Sequence, residues 1–155
     1  MQEKNFTVYK SSAGSGKTFT LVKEYLRIAL SDTADPPQLY RKILAITFTN
    51  KAAAEMKVRI IDALKELSNP KAGIVSSLAK DLSAEMQLDG FTLASRSKTV
   101  LRAILHNYTD FAIGTIDSFT HRIVRAFAHD LRLPVNFEVE TDADKLIREA
   151  VDILI

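Results

Sequence analysis

A glycine-rich loop near the N-terminus constrains this chain more than any other sequence feature. The loop reads AGSGKT over residues 13–18. The β-prone residues 6–9 precede it, and an apolar pattern of helical period follows it from Lys17. A strand, a glycine loop and a helix in this order hold phosphates with backbone N–H groups and the helix N-terminus. The order therefore predicts a nucleotide-binding P-loop domain.

The loop also suggests a role for each of its residues. Lys17 is expected to reach the β- and γ-phosphates of ATP, and Thr18 to place its hydroxyl on Mg²⁺, so these two residues are the predicted catalytic pair. The strict pattern has glycine at position 11, where this chain has Ser11. The residues predicted to contact the nucleotide are Ser12, Ala13, Gly14, Ser15, Gly16, Lys17, Thr18 and Phe19.

Strand and helix patterns alternate along the chain. Residues 6–9 predict a short buried strand, residues 43–47 a strand covered on both faces and residues 111–116 a third strand. A helical pattern follows each of them. This alternation predicts an α/β fold with a mainly parallel sheet. The less regular stretch 71–90 predicts short helices, followed by a helix over about 94–106.

Caps and chain ends add further expectations. Asn50 is expected to cap the helix after the second strand, and Asp117 or Ser118 the helix after the third. A last helix is predicted to open at Thr141 or Asp142, and its pattern reaches Ile155 without a terminating signal. Three strands make a thin sheet, so we expect the chain to be part of a larger protein.

Composition narrows the class of protein. The chain is 46% hydrophobic and 26% charged with a net charge of +2, as in soluble globular proteins. It has no cysteine, which excludes disulfides, thiolate zinc sites and a cysteine nucleophile. The absence of an N-terminal signal region and of a membrane-length apolar run predicts a cytoplasmic protein without a membrane partner. His106, His121 and His129 form no metal-ligand spacing.

Two later segments carry a family resemblance. Residues 43–59, ILAITFTNKAAAEMKVR, strongly resemble the second conserved motif of superfamily 1A helicases, the UvrD/Rep/PcrA group. Residues 112–122, AIGTIDSFTHR, resemble that family's next motif. The loop context 12–20 and the segment NFEV at 136–139 resemble the RecB/AddA branch, whose members are helicase–nuclease motors that process DNA ends. The resemblance covers essentially the whole chain.

This resemblance implies a fold and a function. The implied fold is an incomplete RecA-like P-loop NTPase lobe. Residues 1–133 would form the front of the first motor lobe, with a small helical insertion around residues 71–106. Residues 134–155 would begin a helical subdomain. The implied function is the ATP-binding part of an ATP-dependent DNA helicase of repair and recombination that translocates on single-stranded DNA, with an exonuclease as a further activity of the full protein. The implied partners are single-stranded or duplex-end DNA and a second helicase–nuclease subunit. Residues 1–155 alone are expected to show no meaningful ATPase activity, because the later acidic motif and the second lobe's arginines are not among them.

The resemblance further implies DNA contacts where two strands end. Phe48 would stack on a base, and Thr49 with the amides of the next helix would hold a phosphate. From the residues alone, Phe48 and Phe119 are expected in the core, and Thr49 and Ser118 are equally explained as helix caps. The implied DNA-binding residues are Thr47, Phe48, Thr49, Asn50, Lys51, Thr115, Ser118 and Phe119.

Two other functions stay open. One is a complete small P-loop kinase or NTPase, in which Asp117 would be the metal-side carboxylate. Many members of the helicase family carry histidine at the position of Asp117, and a capping or loop-fixing role is expected for it there. The other is a non-catalytic nucleic-acid-binding module that keeps the loop as a phosphate site. Single-stranded DNA affinity that falls steeply with salt and ignores nucleotide would favour this module.

Overall fold

Helices make up most of the structure. The computed structural model describes residues 6–10, 16–35, 37–70, 76–132 and 143–154, which divide into a first unit, Met1–Thr115, and a second unit, Ile116–Ile155. The first unit contains, in order, α1 (Lys17–Leu30), a 3₁₀ helix (Leu39–Lys42), β1 (Ala45–Thr47), α2 (Asn50–Ser68), α3 (Ser77–Met86), α4 (Gly90–His106), a second 3₁₀ helix (Tyr108–Asp110) and β2 (Ile113–Thr115). The second unit contains α5 (Ile116–Ala126) and α6 (Ala143–Leu154).

β1 and β2 form a parallel pair. The register places Ile46 opposite Gly114 and Thr47 opposite Thr115. The N–H of Ala45 donates to the carbonyl of Ala112 at 3.0 Å, which extends the ladder by one bond. Parallel strands require a crossover connection, and helices α2 to α4 provide it. The predictions of an α/β fold, of parallel pairing and of strands within 43–47 and 111–116 are therefore confirmed. The predicted burial of the strand at 43–47 is wrong, because Ile46 is exposed and no residue of β1 is buried.

The prediction of a buried strand at residues 6–9 is wrong. Residues 6–10 form no strand, and Phe6, Val8 and Tyr9 are exposed, the Phe6 side chain by 82%. Strand propensity largely measures packing against neighbouring strands and an apolar face. No described strand pairs with this segment, so its β-prone residues have no neighbouring strand to pack against. The sheet of the described residues has two strands instead of three.

The core of the first unit lies between α1, α2 and α4. Helix α2 packs against both of the others. The predicted apolar stripe of α2 is buried, and Leu26 and Leu30 of α1 and Ile104 of α4 are fully buried opposite it. Burial of each such large side chain contributes about 1.5–3 kcal/mol, so this three-helix contact stabilises the unit substantially. The stripe of α2 comprises Met56, Ile60, Ala63, Leu64 and Leu67.

Two helices occupy the stretch that the sequence predicts to be helical after α2. α3 lies within residues 71–90, as expected for a short helix, and residues 71–75 lie outside the described residues. α4 begins at Gly90, four residues before the predicted start, because Asp89 caps it. The Asp89 carboxylate accepts the N–H groups of Phe91 and Thr92 at 2.9 and 3.0 Å. The buried side chains Leu93, Val100 and Ile104 make α4 part of the core.

Two predicted helix caps need correction. Thr49, and not Asn50, caps α2, because its backbone is extended and its hydroxyl accepts the N–H of Ala52 at 3.1 Å. Asn50 has already entered the helix. α5 begins at Ile116, so Asp117 and Ser118 lie in its first turn and not before it.

The described residues of the second unit include two amphipathic helices, α5 and α6. α5 has no buried side chain, and α6 occupies most of the last predicted helix. The predicted start of that helix at Thr141 or Asp142, and the extended segment before it, lie outside the described residues. No helix in the described part of the chain is both long and apolar enough to cross a membrane.

Candidate nucleotide and nucleic-acid sites

Gly16 opens α1 in a conformation that favours glycine. Its φ of 81° and ψ of 16° lie in the left-handed region. Its carbonyl accepts the N–H of Thr20 at 3.0 Å, which starts the helical ladder. A side chain at this φ would be strained, so glycine is the residue that can turn the chain directly into the helix. The preceding loop residues Ser12, Ala13, Gly14 and Ser15 lie outside the described residues.

The next three residues occupy the first turn of α1. Lys17 and Phe19 are exposed and Thr18 is half-buried. The first N–H groups of a helix have no partners within the helix, and the helix dipole makes this end positive. No acidic side chain lies in the first turn of α1 to offset this charge. The backbone amides and the Lys17 ammonium therefore suit a phosphate group.

A metal ion would find one hydroxyl ligand at this turn, from Thr18. Hydroxyl and carboxylate oxygens are the ligands that Mg²⁺ prefers, usually together with waters and nucleotide phosphates. Among the residues that the structure describes, no three or more His, Cys, Asp or Glu side chains cluster as a metal site. The Thr18 hydroxyl therefore suits a position on a magnesium ion whose other ligands include nucleotide phosphates and waters.

A second surface lies where β1 and β2 end. Because Thr47 is the register partner of Thr115, both strands end at the same level. Thr115 is buried, and Thr47 is half-buried. The Thr47 hydroxyl lies 3.0 Å from the carbonyl oxygen of Thr49 and 3.4 Å from that of Gly114. These two predicted DNA-binding residues are thus integrated into the strand ends.

The residues after Thr47 are open to solvent. The Phe48 side chain is 91% exposed, which rules out a core position. Thr49, Asn50 and Lys51 are also exposed. They form the cap and the start of α2, whose first turn contains no acidic residue. An exposed aromatic ring, a helix N-terminus and an ammonium group therefore lie together on four consecutive residues. This set can stack on a base and bind the adjoining phosphate.

The remaining predicted DNA-binding residues belong to the second unit. Ser118 is exposed and Phe119 is half-buried in the first turn of α5. Asp117 is exposed beside them. A carboxylate in the first helical turn is stabilised by the helix dipole. Asp117 therefore does not cap the helix, and its expected loop-fixing role stays a prediction.

Sequence reasoning misses the internal bonds of Thr47. A threonine at the end of a strand is readily interpreted as a DNA ligand, since strand ends are where ligands bind in open α/β sheets. Whether a hydroxyl faces solvent or a neighbouring carbonyl depends on strand register and turn geometry. No residue pattern in the sequence carries that signal.

Comparison with known proteins agrees with the motifs. The family described as UvrD/REP helicase N-terminal domain matches residues 2–154. An ATP-dependent helicase/nuclease subunit of Lactobacillus acidophilus is 33% identical over 142 residues, which is 90% of this chain and 9% of the relative. The protein of the same name from Clostridium botulinum is 30% identical over 144 residues, 92% of this chain and 9% of the relative.

A relative named as a RecBCD enzyme subunit is also similar to this chain. The RecBCD enzyme subunit RecB of Buchnera aphidicola is 31% identical over 122 residues, 75% of this chain and 10% of the relative. The chain therefore spans about a tenth of the length of these curated relatives. No solved structure matches the chain.

Proposed function

Because the chain belongs to the UvrD/REP helicase N-terminal domain family, we propose that it is the ATP-binding front part of an ATP-dependent DNA helicase that translocates on single-stranded DNA. The observation that carries this proposal is the start of α1. There, Gly16 in the left-handed region leads directly into Lys17 and Thr18 at a helix end without acidic side chains. A family match over residues 2–154 gives this turn its expected ligand, a nucleoside triphosphate.

The nucleotide site consists of the loop and the first turn of α1. Lys17 binds the β- and γ-phosphates, and Thr18 donates an oxygen to Mg²⁺, which neutralises phosphate charge when it is bound. Ser12, Ala13, Gly14, Ser15, Gly16 and Phe19 complete the contacts. This chain's own contribution is to hold the phosphates. The fold is the RecA-like lobe of residues 1–133, with an insertion around 71–106 and a helical subdomain from 134.

The DNA track follows the two strand ends. Phe48 stacks on a base, and Thr49, Asn50 and Lys51 bind the adjacent phosphate through the start of α2. Its support is that these four residues are exposed together. Thr115 in the first unit, and Ser118 and Phe119 in the second, are further proposed DNA contacts, and Thr47 ends the strand that leads to Phe48.

The names of the relatives suggest the wider setting. They describe helicase/nuclease subunits, one of them from a RecBCD enzyme. We therefore assign the protein to the processing of DNA ends in repair, together with a second helicase–nuclease subunit, in the cytoplasm.

The decisive experiment removes the phosphate-binding ammonium. Lys17→Ala in the protein at its natural length should lower ATP hydrolysis, measured with single-stranded DNA and Mg²⁺, by about a hundredfold or more. Lys80→Ala is the matched control, because Lys80 is an exposed lysine on α3. Unchanged hydrolysis in Lys17→Ala would refute the nucleotide site. Tight DNA binding without hydrolysis or nucleotide response would instead indicate a non-catalytic module.

A further inference from the structure

We propose that Thr47 is a positioning residue of the DNA site, whose hydroxyl holds the turn that carries Phe48 so that the ring points into solvent. This inference rests on the proposed function, because it takes the Phe48 turn to bind single-stranded DNA. It gives Thr47 a different role from a direct DNA contact.

The first step is the local bond around Phe48. The Thr47 hydroxyl donates to the carbonyl of Thr49 at 3.0 Å, so the bond closes over the one residue between them. The same carbonyl accepts the N–H of Ala53 at 3.1 Å, and the Thr49 hydroxyl accepts the N–H of Ala52 at 3.1 Å. The backbone of Phe48 is therefore fixed on one side by β1 and on the other by the capped end of α2.

The second step is the link to the neighbouring strand. The same hydroxyl lies 3.4 Å from the carbonyl of Gly114 on β2. A hydroxyl has one hydrogen, so the nearer carbonyl of Thr49 takes the larger share of it and Gly114 the smaller. Thr47 thus connects the Phe48 turn to β2 as well as to α2.

The third step concerns the ring itself. An exposed phenyl ring gains free energy when it covers apolar surface, and Leu44 and Ile46 of the same segment are also exposed. A loosened turn would let the Phe48 ring settle on such surface and withdraw from a base. The Thr47 bond prevents this by restricting the backbone and not by touching the ring.

The fourth step separates positioning from contact. A DNA phosphate offers oxygens that accept hydrogen bonds, so a threonine that binds it must donate its hydrogen. The Thr47 hydrogen is directed at two backbone carbonyls. Thr47 acts on DNA affinity through Phe48.

The test is a double-mutant cycle on single-stranded DNA affinity. Oligothymidylate binding is measured by fluorescence anisotropy with the protein at its natural length. Thr47→Val keeps the branched shape and removes the hydroxyl, and the lost bond should weaken binding by roughly threefold to tenfold. Thr47→Ser restores the hydroxyl and should restore most of the affinity. The salt dependence of binding should not change, because no phosphate contact is lost.

The coupling with Phe48 decides the role. In a Phe48→Ala background, Thr47→Val should have no further effect, whereas independent contacts would add. Thr99→Val is the matched control, since the Thr99 hydroxyl also donates to a backbone carbonyl, that of Ser95 at 3.1 Å, on α4. It should leave DNA affinity unchanged.

Each outcome separates the two proposals. If Phe48→Ala weakens binding but Thr47→Val is silent or additive, the positioning role is overturned and the DNA site stands. If Phe48→Ala has no effect, the DNA site itself fails. Urea unfolding of every variant excludes a loss of fold, and Thr47→Ala replaces Thr47→Val if the latter does not fold.

Discussion

The carboxylate of Asp32 accepts the backbone N–H of Leu39 at 2.7 Å, across the turn that follows α1. It also accepts the N–H of Ala34 at 3.0 Å and that of Gln38. One side chain thereby satisfies three backbone donors between the end of α1 and the start of the first 3₁₀ helix. Asp32 therefore helps to fix the entry into the 3₁₀ helix that precedes β1.

This carboxylate should make stability depend on pH. Hydrogen bonds from the N–H groups of Ala34 and then Leu39 hold the pKa of Asp32 below its ordinary value of 3.8. Its contribution is present above that ordinary value and is lost as the pH falls through the lowered pKa. Asp32→Asn should cost roughly 1 kcal/mol at pH 7 and progressively less toward pH 2. Urea midpoints over this range measure the difference, with the exposed Asp35→Asn as control. A difference that stays constant with pH would exclude the carboxylate as its source.

Gly16→Ala should destabilise the start of α1. An added methyl group would meet no atom within 4 Å, so the cost is backbone strain at a φ of +81°, about 1–2 kcal/mol. Gly90→Ala is the control, because it also meets open space but lies within α4 without a positive φ. Gly90→Ala should be neutral or stabilising. Thermal unfolding and ATP affinity of both variants would show the contrast. Equal behaviour would mean that Gly16 does not need its left-handed conformation.

Phe48→Ala should weaken single-stranded DNA binding without affecting the fold. Stacking of a base on an aromatic ring contributes about 1–3 kcal/mol. Phe91→Ala is a close match, because the Phe91 ring is 84% exposed and the Phe48 ring 91%. Both variants should unfold within about 0.5 kcal/mol of the parent. Fluorescence anisotropy with oligothymidylate measures the binding. An equal loss of affinity in the two variants would show that the loss is not specific to the Phe48 ring.

Ile60→Ala should be severely destabilising. Ile60 is fully buried in the seam between α2 and the other core helices, and truncation of such a residue costs about 2–5 kcal/mol. Val58 lies on the same helix with its side chain exposed, so Val58→Ala should change stability by less than about 0.5 kcal/mol. Chemical unfolding followed by circular dichroism gives both values. A small effect of Ile60→Ala would show that α2 is not central to the core.

Local pattern in the sequence is enough to predict part of the fold. The buried stripe of α2 follows from helical period, and the β1 strand follows from a short apolar run. Strand pairing and the choice of helix cap cannot be predicted in this way, because they depend on the neighbouring strand and on the backbone conformation. Residues 6–9 have strand propensity but no described strand beside them. Thr49 and Asn50 are both good caps, and only the extended backbone of Thr49 decides between them.

The same distinction applies to the candidate sites. The roles of Lys17 and Thr18 stay predictions, which rest on the glycine loop and on their position in the first turn of α1. The exposure of Phe48 is not predictable from hydrophobicity, which favours burial. The inward hydroxyl of Thr47 depends on the pairing of two strands that are distant in sequence.

That distance also affects how the chain folds. The bond between Thr47 and Gly114 joins residues 67 positions apart, and helices α2, α3 and α4 lie between them. Closing so long a loop costs entropy before the strands gain any contact, whereas each helix forms from local contacts. We therefore expect the helices to form early and the parallel pairing of β1 with β2 to form last. The Phe48 turn would then reach its final geometry only when the rest of the first unit is already assembled.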